Sequence, residues 1–317
     1  MSAVFLDAAT LGDDIDLTPM EEAARGLTCY QRTAPDQVLE RIRGFGVVVT
    51  NKVVLNQSHF DACPDLHTIV LTATGKNNID LPAAEAAGIT VLNATRYGTS
   101  TVAQHTVALM LALATHLIDY HQDVQAGAWA ESPQFCLMNH PVMELEGKTL
   151  CIVGFGDIGR AVARRAEAFG MKVVLGARPG QSVGDVDGYP RAPIEELLPH
   201  VDVLSLHCLL TPETDGLIGA SELAAMKNEA LIINTSRGGL VDETALAEAL
   251  RERRIGGAGF DVLTGEPPRN GNPLLAGDIP TLIVTPHCAW ASREARQSIV
   301  EKTAENLRNS VHKHATG

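Results

Sequence analysis

The chain has 317 residues, a length that suggests about two domains. Apolar residues make up 45% of it and charged residues 20%, a balance that supplies real hydrophobic cores and excludes a disordered chain. The formal net charge of −13 argues against nucleic acids and anionic membranes as partners, because an acidic surface repels phosphate groups.

The first third of the chain alternates strand and helix patterns. Short runs rich in β-branched residues occur at "VFLDA", "LTCYQRT", "GVVVTN", "HTIVLTAT" and "ITVLNAT", with helical stretches such as "APDQVLERIRG" between them. This rhythm predicts a parallel sheet covered on both faces. A long helix is then predicted over about residues 100–120. Its apolar run "VALMLALA" is too short for a membrane span and indicates a buried helix.

A second α/β unit follows an irregular stretch. Its strands are predicted at "TLCIV", "KVVLGA", "VDVLSLH", "ALIINTS", "IGGAGFDVL" and "TLIVTPH", with helices at "SELAAM" and "DETALAEALRER". An amphipathic helix over about 293–312 ends the chain. The fold class predicted is α/β, with two Rossmann-like doubly wound parallel-sheet domains and a cleft between them.

The cysteines and the first residues indicate the compartment. The six cysteines form no C-x-x-C pair, so their spacing does not suggest a zinc site and we expect no metal. The opening segment "MSAVFLDAATLGDDIDL" lacks the basic stretch of a signal peptide. We therefore expect free thiols in a cytoplasmic protein.

The segment "GFGDIG" carries the strongest binding signal. It comprises Gly154, Phe155, Gly156, Asp157, Ile158 and Gly159. An apolar strand precedes it and a helix follows, which is the context in which such glycines turn tightly, admit a pyrophosphate and pack the helix onto the strand. A tight turn that binds nothing is the alternative, and this context disfavours it.

The next strand ends without the expected acid. Dinucleotide sites that hold the adenosine ribose place Asp or Glu about 20 residues after the glycines. Here Ala177 takes that place and Arg178 follows. An arginine offers a forked donor to a 2′-phosphate, so the sequence leans towards NADP(H) or towards both cofactors. Alternatively, Arg178 is an ordinary surface arginine.

Three later strand ends carry candidate catalytic groups. Arg237 follows one strand, Asp261 and Glu266 follow the next, and His287 follows the last. In hydride transfer to a 2-keto acid, Arg237 can bind the carboxylate and polarise the carbonyl. His287 can donate the proton, and a carboxylate such as Glu266 can hold the imidazole and favour its protonated form. Taken singly, each of the three also has a purely structural explanation.

These motifs together resemble a known family. The segments "GFGDIG", "HCLLTPETDGLI", "INTSRGGLVDE", "GAGFDVL", "GEPP" and "TPHCAWAS" are similar to those of the NAD(P)-dependent D-isomer-specific 2-hydroxyacid dehydrogenases over nearly the whole chain. The segments "QFCLMNHPVMELEGKTL" and "AWASREAR" resemble the bacterial glycerate dehydrogenase, or hydroxypyruvate reductase, branch of that family.

The resemblance implies roles for individual residues. Arg237, Glu266 and His287 match the catalytic positions, and Thr74 and Gly75 match the loop that cradles the substrate carboxylate, with Asn78 holding that loop. Thr101, Cys208, Thr235 and Asp261 match positions that contact the cofactor. The resemblance also implies a homodimer and a discontinuous substrate domain, 1–98 plus 290–317, beside a dinucleotide-binding domain, 99–289.

The substrate is expected to be a small 2-keto acid, with hydroxypyruvate and glyoxylate fitting best. Trp290 is a candidate wall of the substrate pocket, although core packing explains a tryptophan equally well. A phosphorylated substrate such as 3-phosphoglycerate calls for several cations near "TATGKNNID", where only Lys76 is evident. The alternatives are another D-2-hydroxyacid dehydrogenase or a dinucleotide-sensing scaffold like the family's transcriptional corepressors.

Overall fold

The computed structural model describes residues 2–315, with side chains described as far as residue 310. Contacts along the chain divide it into two compact units, Met1–Gly98 with Ala291–Gly317 and Thr99–Trp290.

The first unit is built on a five-stranded parallel sheet. Before residue 98 it contains β1 (Ala3–Phe5), α1 (Thr18–Ala24), β2 (Leu27–Cys29), α2 (Val38–Ile42), β3 (Val47–Thr50), α3 (Gln57–Ala62), β4 (Thr68–Leu71), α4 (Leu81–Ala86) and β5 (Thr90–Asn93). The strand order is β2-β1-β3-β4-β5. Strands β1, β3 and β4 are buried along their whole length, as expected for a sheet with helices on both faces.

The second unit carries an eight-stranded sheet. Its elements are α5 (Thr99–Ala114), α6 (Leu117–Gln125), β6 (Thr149–Val153), α7 (Asp157–Glu167), β7 (Lys172–Ala177), β8 (Gly184–Val186), β9 (Tyr189–Pro193), α8 (Ile194–Leu197), β10 (Val203–Leu206), α9 (Ala220–Ala225), β11 (Leu231–Asn234), α10 (Glu243–Arg251), β12 (Gly257–Phe260) and β13 (Leu282–Val284). The chain then returns to the first unit as α11 (Arg293–Ala315), which packs against α1 and β4. The predicted fold class of two parallel-sheet α/β domains is confirmed.

The sheet of the second unit runs in the order β13-β12-β11-β10-β6-β7-β9-β8, and only the β8–β9 pair is antiparallel. The chain leaves β6 towards β7 and then returns to place β10 on the other side of β6. The strand order therefore reverses beside β6, and a parallel sheet binds its ligands at the carboxyl edge next to such a reversal.

Two parts of the second unit differ from the sequence prediction. The continuous helix predicted over 100–120 is wrong: His116 takes a left-handed conformation (φ 49°) and separates α5 from α6, which meet at an angle of 58°. The β8–β9 hairpin was not predicted, because its segment is short and polar and includes Gly184 and Gly188.

Within the described residues, no single helix is long and apolar enough to cross a membrane, and one bent pair, α5 with α6, meets the criteria of length and composition. The run "VALMLALA" lies in α5, where Val107, Leu109, Met110 and Leu113 are buried. Glycines in β12 allow α5 to approach closely: a Cβ atom at Gly259 would lie 3.0 Å from Leu109 Cβ.

Candidate active site

The carboxyl edge of the second sheet gathers most of the predicted site residues. Along this edge the strands β13, β12, β11, β10 and β6 are consecutive parallel neighbours. His287 follows β13, Asp261 and Glu266 follow β12, and Thr235 and Arg237 follow β11. Cys208 follows β10, and the loop that starts at Gly154 follows β6. Residues as far apart in sequence as Gly154 and His287 thus follow strands of one parallel row.

The glycines after β6 are required by their surroundings. Gly154 has φ 99°, and a Cβ atom there would lie 2.5 Å from the backbone of His207 and Cys208. A Cβ at Gly159 would lie 2.2 Å from the carbonyl oxygen of Gly154, so this glycine lets α7 pack onto the turn. A Cβ at Gly156 would meet no atom within 4 Å. The first and third glycines therefore serve the fold, and the second faces open space at the N-terminus of α7, where a phosphate would bind.

The residues between these glycines are also placed at the turn. Asp157 is exposed in the first position of α7, and Ile158 is half-buried against the core. The ring of Phe155 meets the ring of Tyr189 edge-on, with centroids 5.0 Å apart, and the guanidinium of Arg160 lies 4.5 Å above it. The turn is thereby fixed on the side of β9.

Arg178 directly follows β7 and is half-buried. Its Nε atom is buried and has no hydrogen-bond partner among the described residues. Burial raises the pKa of the Cys208 thiol, and the positive charge of Arg178 opposes that rise. An arginine with an unsatisfied buried donor, close enough to influence the end of β10, suits an anionic ligand at this edge.

The turn after β11 holds Arg237 by several contacts. The side-chain amide of Asn234 donates to the carbonyl of Arg237 (2.8 Å), and the Arg237 guanidinium donates to the carbonyl of Ser236 (2.7 Å). Ser236 in turn donates to the carbonyl of Cys208 (2.6 Å). Gly238 packs directly on the backbone after β12, since a Cβ there would lie 2.1 Å from the carbonyl carbon of Leu263. Arg237 is half-buried and retains donors that can bind a ligand.

Glu266 and His287 are in direct contact. Glu266 Oε2 lies 2.6 Å from His287 Nδ1, and Glu266 Oε1 accepts a hydrogen bond from the Leu263 backbone (2.8 Å). About a third of each side chain is exposed, 33% for Glu266 and 31% for His287. Because Nδ1 faces the carboxylate, Nε2 is the nitrogen left to exchange a proton with a substrate.

Asp261 organises the backbone around His287. Its buried carboxylate accepts hydrogen bonds from the backbone of Cys288 (2.9 Å) and Ala289 (2.8 Å), while its carbonyl accepts one from the backbone of His287 (2.8 Å). These bonds hold His287 in a left-handed conformation, φ 53°, that costs on the order of 1 kcal/mol or more in a residue other than glycine. Asp261 therefore sets the direction in which the imidazole points.

Further polar groups support this region from α5 and α10, and the sequence did not single them out. His105 Nε2 lies 2.9 Å from Thr285 Oγ1, which donates to Asp261 (2.5 Å). No local pattern in the sequence reveals this role of His105, because its partner lies 180 positions away. Glu243, at the start of α10, is a second such residue: it accepts a hydrogen bond from the backbone of Thr264 (2.8 Å) in the loop that carries Glu266.

The remaining predicted residues lie in two groups. Thr101 donates to the carbonyl of Ala289 (3.0 Å), and Thr235 shares a hydrogen bond with Thr106 (3.0 Å), so both link α5 to the carboxyl edge; Trp290 is half-buried at the end of the second unit. Thr74 and Gly75 belong to the first unit, after β4. Thr74 donates to the carbonyl of Ala94 (3.0 Å), and Asn78 donates to the carbonyl of Val53 (2.9 Å), which anchors the loop at both ends.

His207, next to the glycine turn, gives a pH-dependent prediction. Burial lowers its pKa from the ordinary 6.5 to about 4, and Nε2 lies 2.8 Å from Ser205 Oγ. The unfolded chain takes up this proton near pH 6.5 and the folded chain only near pH 4. The stability of the fold is therefore unaffected by this group above pH 6.5 and falls by up to about 3 kcal/mol as the pH drops towards 4.

Melting temperatures of the wild type and His207→Gln between pH 8 and pH 4.5 test this. We expect the wild type to lose stability relative to the variant as the pH falls below 6.5, because glutamine keeps a hydrogen bond but does not titrate. Two curves that stay parallel over this range would contradict the assignment.

Comparison with known proteins identifies the family. A sequence model described as the NAD-binding domain of the D-isomer specific 2-hydroxyacid dehydrogenases matches residues 107–289. The chain belongs to the D-isomer specific 2-hydroxyacid dehydrogenase family, as its resemblance predicted. Its cofactor is accordingly a nicotinamide dinucleotide, and the three glycines and the unsatisfied donor of Arg178 fit such a group.

Individual proteins similar to this chain support the same family assignment. The chain is 44% identical to a glycerate dehydrogenase of Methylorubrum extorquens over 282 residues, which cover 88% of this chain and 87% of the relative. It is 35% identical to a hydroxypyruvate reductase of Blautia hydrogenotrophica over 311 residues, 97% of this chain and 96% of the relative. Among solved structures, the TT0316 protein of Thermus thermophilus superposes with a TM-score of 0.85 at 34% identity, covering 99% of this chain and 97% of that one.

Proposed function

We propose that this protein is a reductase of small 2-keto acids, converting hydroxypyruvate to D-glycerate and glyoxylate to glycolate with NADPH or NADH. The observation that carries the proposal is the Glu266–His287 pair, 2.6 Å apart. The strand before Glu266 is adjacent to the strand that leads to Arg237, and the strand that leads to the glycine turn lies further along the same parallel row. A carboxylate-binding group, a proton donor and a dinucleotide turn on one sheet edge are the parts that hydride transfer to a keto acid needs.

The second unit would hold the cofactor. Gly156 faces open space at the N-terminus of α7, where backbone N–H groups would bind the pyrophosphate, and Arg178 would face the adenosine end. When bound, the reduced nicotinamide supplies the hydride. We propose that Thr101, Cys208, Thr235 and Asp261 line the cofactor site. The hydrogen bonds described above hold each of them at the carboxyl edge.

His287 and Glu266 would move the proton. The developing alkoxide takes a proton from Nε2 of His287, while Nδ1 remains hydrogen-bonded to Glu266. The carboxylate stabilises the imidazolium before transfer and fixes the ring orientation, as in other carboxylate–histidine pairs. In the oxidative direction the same imidazole, neutral, accepts the proton from the hydroxyl group.

Arg237 would bind the substrate carboxylate and polarise the adjacent carbonyl. Its fork of donors gives two parallel hydrogen bonds to a carboxylate, and the turn that carries it is held by Asn234 and Gly238. In the first unit, we propose that the backbone of Thr74 and Gly75 also serves the substrate. This assigns substrate binding to residues 1–98 with 290–317 and cofactor binding to 99–289, with Trp290 as a candidate wall of the substrate pocket.

The proposed cofactor preference follows from Arg178. We expect Arg178→Ala to weaken NADPH binding by about 1.5–3 kcal/mol, because a charge-assisted hydrogen bond to the 2′-phosphate would be lost. NADH has no such phosphate, so its binding should change little. Dissociation constants of both cofactors, measured by nicotinamide fluorescence, check this expectation.

Lys172→Ala is the matched control for Arg178→Ala. Lys172 is exposed at the opposite end of the same strand, so this variant removes a positive charge without touching the carboxyl edge. If Arg178→Ala weakened NADPH and NADH equally, or no more than Lys172→Ala does, Arg178 would not bind the 2′-phosphate and the preference for NADP(H) would have to be abandoned.

A homodimer is proposed on the strength of one exposed apolar segment. Seven large apolar side chains are exposed between residues 117 and 142: Leu117, Ile118, Val124, Trp129, Phe135, Met138 and Val142. Phe135 is 91% exposed. Such a concentration of exposed apolar side chains is typical of an interface.

All six cysteines are unpaired, which fits the proposed cytoplasmic location. One of them, Cys151, is buried, and burial raises the pKa of its thiol to about 12.

Light scattering of Phe135→Asp tests the dimer. We expect the wild type to have twice the mass of one chain and the variant to dissociate, because a charge would be buried at the interface. Phe169→Asp, which changes another exposed aromatic residue outside this segment, should remain a dimer. A monomeric wild type, or equal behaviour of both variants, would contradict the proposal.

A substrate panel distinguishes the remaining alternatives. We expect kcat/KM to be highest for hydroxypyruvate and glyoxylate, and much lower for 3-phosphohydroxypyruvate and for branched keto acids. Preference for the phosphorylated substrate would instead identify a phosphoglycerate dehydrogenase. A scaffold that only senses dinucleotides would bind NAD(P)H and oxidise it negligibly with every keto acid.

A further inference from the structure

A cluster of histidines and aspartates lies around the junction of α5 and α6, among residues that have no part in the proposed reaction. His116 stands at the junction, Asp119 lies one turn further along the chain, and His140 comes from the irregular segment before β6. His116 Nδ1 lies 2.7 Å from Asp119 Oδ2. The rings of His116 and His140 are stacked, with centroids 5.4 Å apart and planes inclined by 15°.

His140 is held from several sides. Its Nε2 lies 2.8 Å from Asp123 Oδ2, and its backbone carbonyl accepts a hydrogen bond from the hydroxyl group of Tyr120 (2.9 Å). The ring of Tyr120 also meets the imidazole edge-on, with centroids 4.9 Å apart. The side-chain amide of Asn139 also donates to Asp123 Oδ2 (2.6 Å). The segment that carries His140 is thereby fixed against α6.

The potential ligand atoms are close enough for one metal ion. One nitrogen of each of His116 and His140 and one carboxylate oxygen of Asp119 all lie within 4.8 Å of one another. An ion at the centre of such a triangle is at most about 2.8 Å from each atom, and movements of about 0.7 Å would reach the usual zinc distances of about 2.1 Å. The side chains of His116 and His140 are 11% and 26% exposed in the single chain.

We propose that His116, Asp119 and His140 form a binding site for a divalent transition-metal ion of the zinc class. Two imidazoles and a carboxylate are ligands that Zn²⁺ accepts, and three protein ligands leave one position for water. Asp123 stands beside His140, where a carboxylate commonly orients a ligating imidazole. Cysteine spacing gives no indication of this site, because its ligands become neighbours only in the fold.

The ion would act as a structural clamp. It would join the α5–α6 junction to the segment before β6, and this segment includes the exposed Phe135 and Met138. An ion that binds the folded chain and not the unfolded chain raises the melting temperature in proportion to the logarithm of its concentration. The site is independent of the proposed reaction, since none of its ligands takes part in it.

Hydrogen bonding alone offers a competing explanation. The pairs His116–Asp119 and His140–Asp123 satisfy one another without an ion. The two explanations differ in stoichiometry: a built site takes up one ion per chain with a defined set of ligands, whereas hydrogen-bonded pairs take up none. Scattered surface histidines, by contrast, would bind zinc weakly and without dependence on any one residue of the cluster.

Isothermal titration of the full chain with ZnCl₂, after treatment with a chelator, tests the proposal. We expect one ion per chain in the wild type, and binding at least tenfold weaker in His140→Ala and in Asp119→Asn. Asparagine keeps the size and an oxygen acceptor while removing the charge, so Asp119→Asn provides a test even if His140→Ala folds poorly. His121→Ala, which removes an exposed histidine from the same helix, is the matched control and should bind like the wild type.

Melting curves provide a second measurement. Saturating Zn²⁺ should raise the melting temperature of the wild type and His121→Ala by about 2 °C or more, and should leave Asp119→Asn unchanged. The proposal is overturned if the wild type binds no zinc, if Asp119→Asn and His140→Ala bind as tightly as the wild type, or if His121→Ala loses binding to the same extent.

Discussion

His287→Ala should lower kcat for hydroxypyruvate reduction by about 10²-fold or more, because the alkoxide would lose its proton donor. Binding of the dinucleotide should change little, since the imidazole is assigned to the substrate and not to the cofactor. The variant should also fold normally: the side chain is 31% exposed, and the bonds that shape its turn come from Asp261 and the backbone. Steady-state kinetics together with a cofactor dissociation constant measure both effects.

His200→Ala is the control for this variant. His200 is exposed just before β10, at the amino edge of the same sheet, so it cannot reach a ligand at the carboxyl edge. We expect its kinetics to match the wild type. A His287→Ala variant with near-normal kcat would remove this residue from the mechanism, and with it the role assigned to Glu266.

Arg237→Ala should reduce kcat/KM by about 10³-fold or more, through loss of both carboxylate binding and carbonyl polarisation. Arg237→Lys should recover only part of this loss, because an ammonium group keeps the charge but cannot form two parallel hydrogen bonds. The ranking of wild type, lysine and alanine separates the contribution of the fork from that of the charge. It is measured with saturating cofactor and varied hydroxypyruvate.

Arg254→Ala controls for the removal of an arginine. Arg254 precedes β12 at the amino edge and pairs with Glu252 (2.7 Å), far along the strand from the proposed site. We expect this variant to keep the wild-type kcat/KM. If Arg237→Ala retained it as well, the carboxylate would have to be bound elsewhere.

Most strands could be predicted from the sequence because they contain runs of apolar, β-branched residues. The runs "GVVVTN", "TLCIV" and "ALIINTS" combine β-branched residues with turn signals, and each became a buried parallel strand. The β8–β9 hairpin could not be predicted because its segment has no apolar run. The break at His116 could not be predicted either, because "ALATHLIDY" contains neither glycine nor proline, and the left-handed residue there is stabilised by a side-chain bond to Asp119.

In the candidate site, likewise, some features could be predicted from the sequence and others could not. Arg237, Glu266 and His287 could be proposed in advance because each follows a recognisable strand, and parallel strands end at one edge. The contacts that hold these three residues in place could not be predicted. The chain His105–Thr285–Asp261 and the support of Thr264 by Glu243 connect elements far apart in sequence, and their partners are determined only when α5 and α10 pack on the sheet.

The most direct measurement is the initial rate of hydroxypyruvate reduction by the wild type with NADPH and, in parallel, with NADH, with chiral analysis of the product. We predict rapid turnover to D-glycerate and a much higher kcat/KM with NADPH. Comparable or better rates with NADH would agree with the proposed reductase function but would contradict the binding of the 2′-phosphate by Arg178. Negligible oxidation of both cofactors, or formation of L-glycerate, would contradict the proposed function itself.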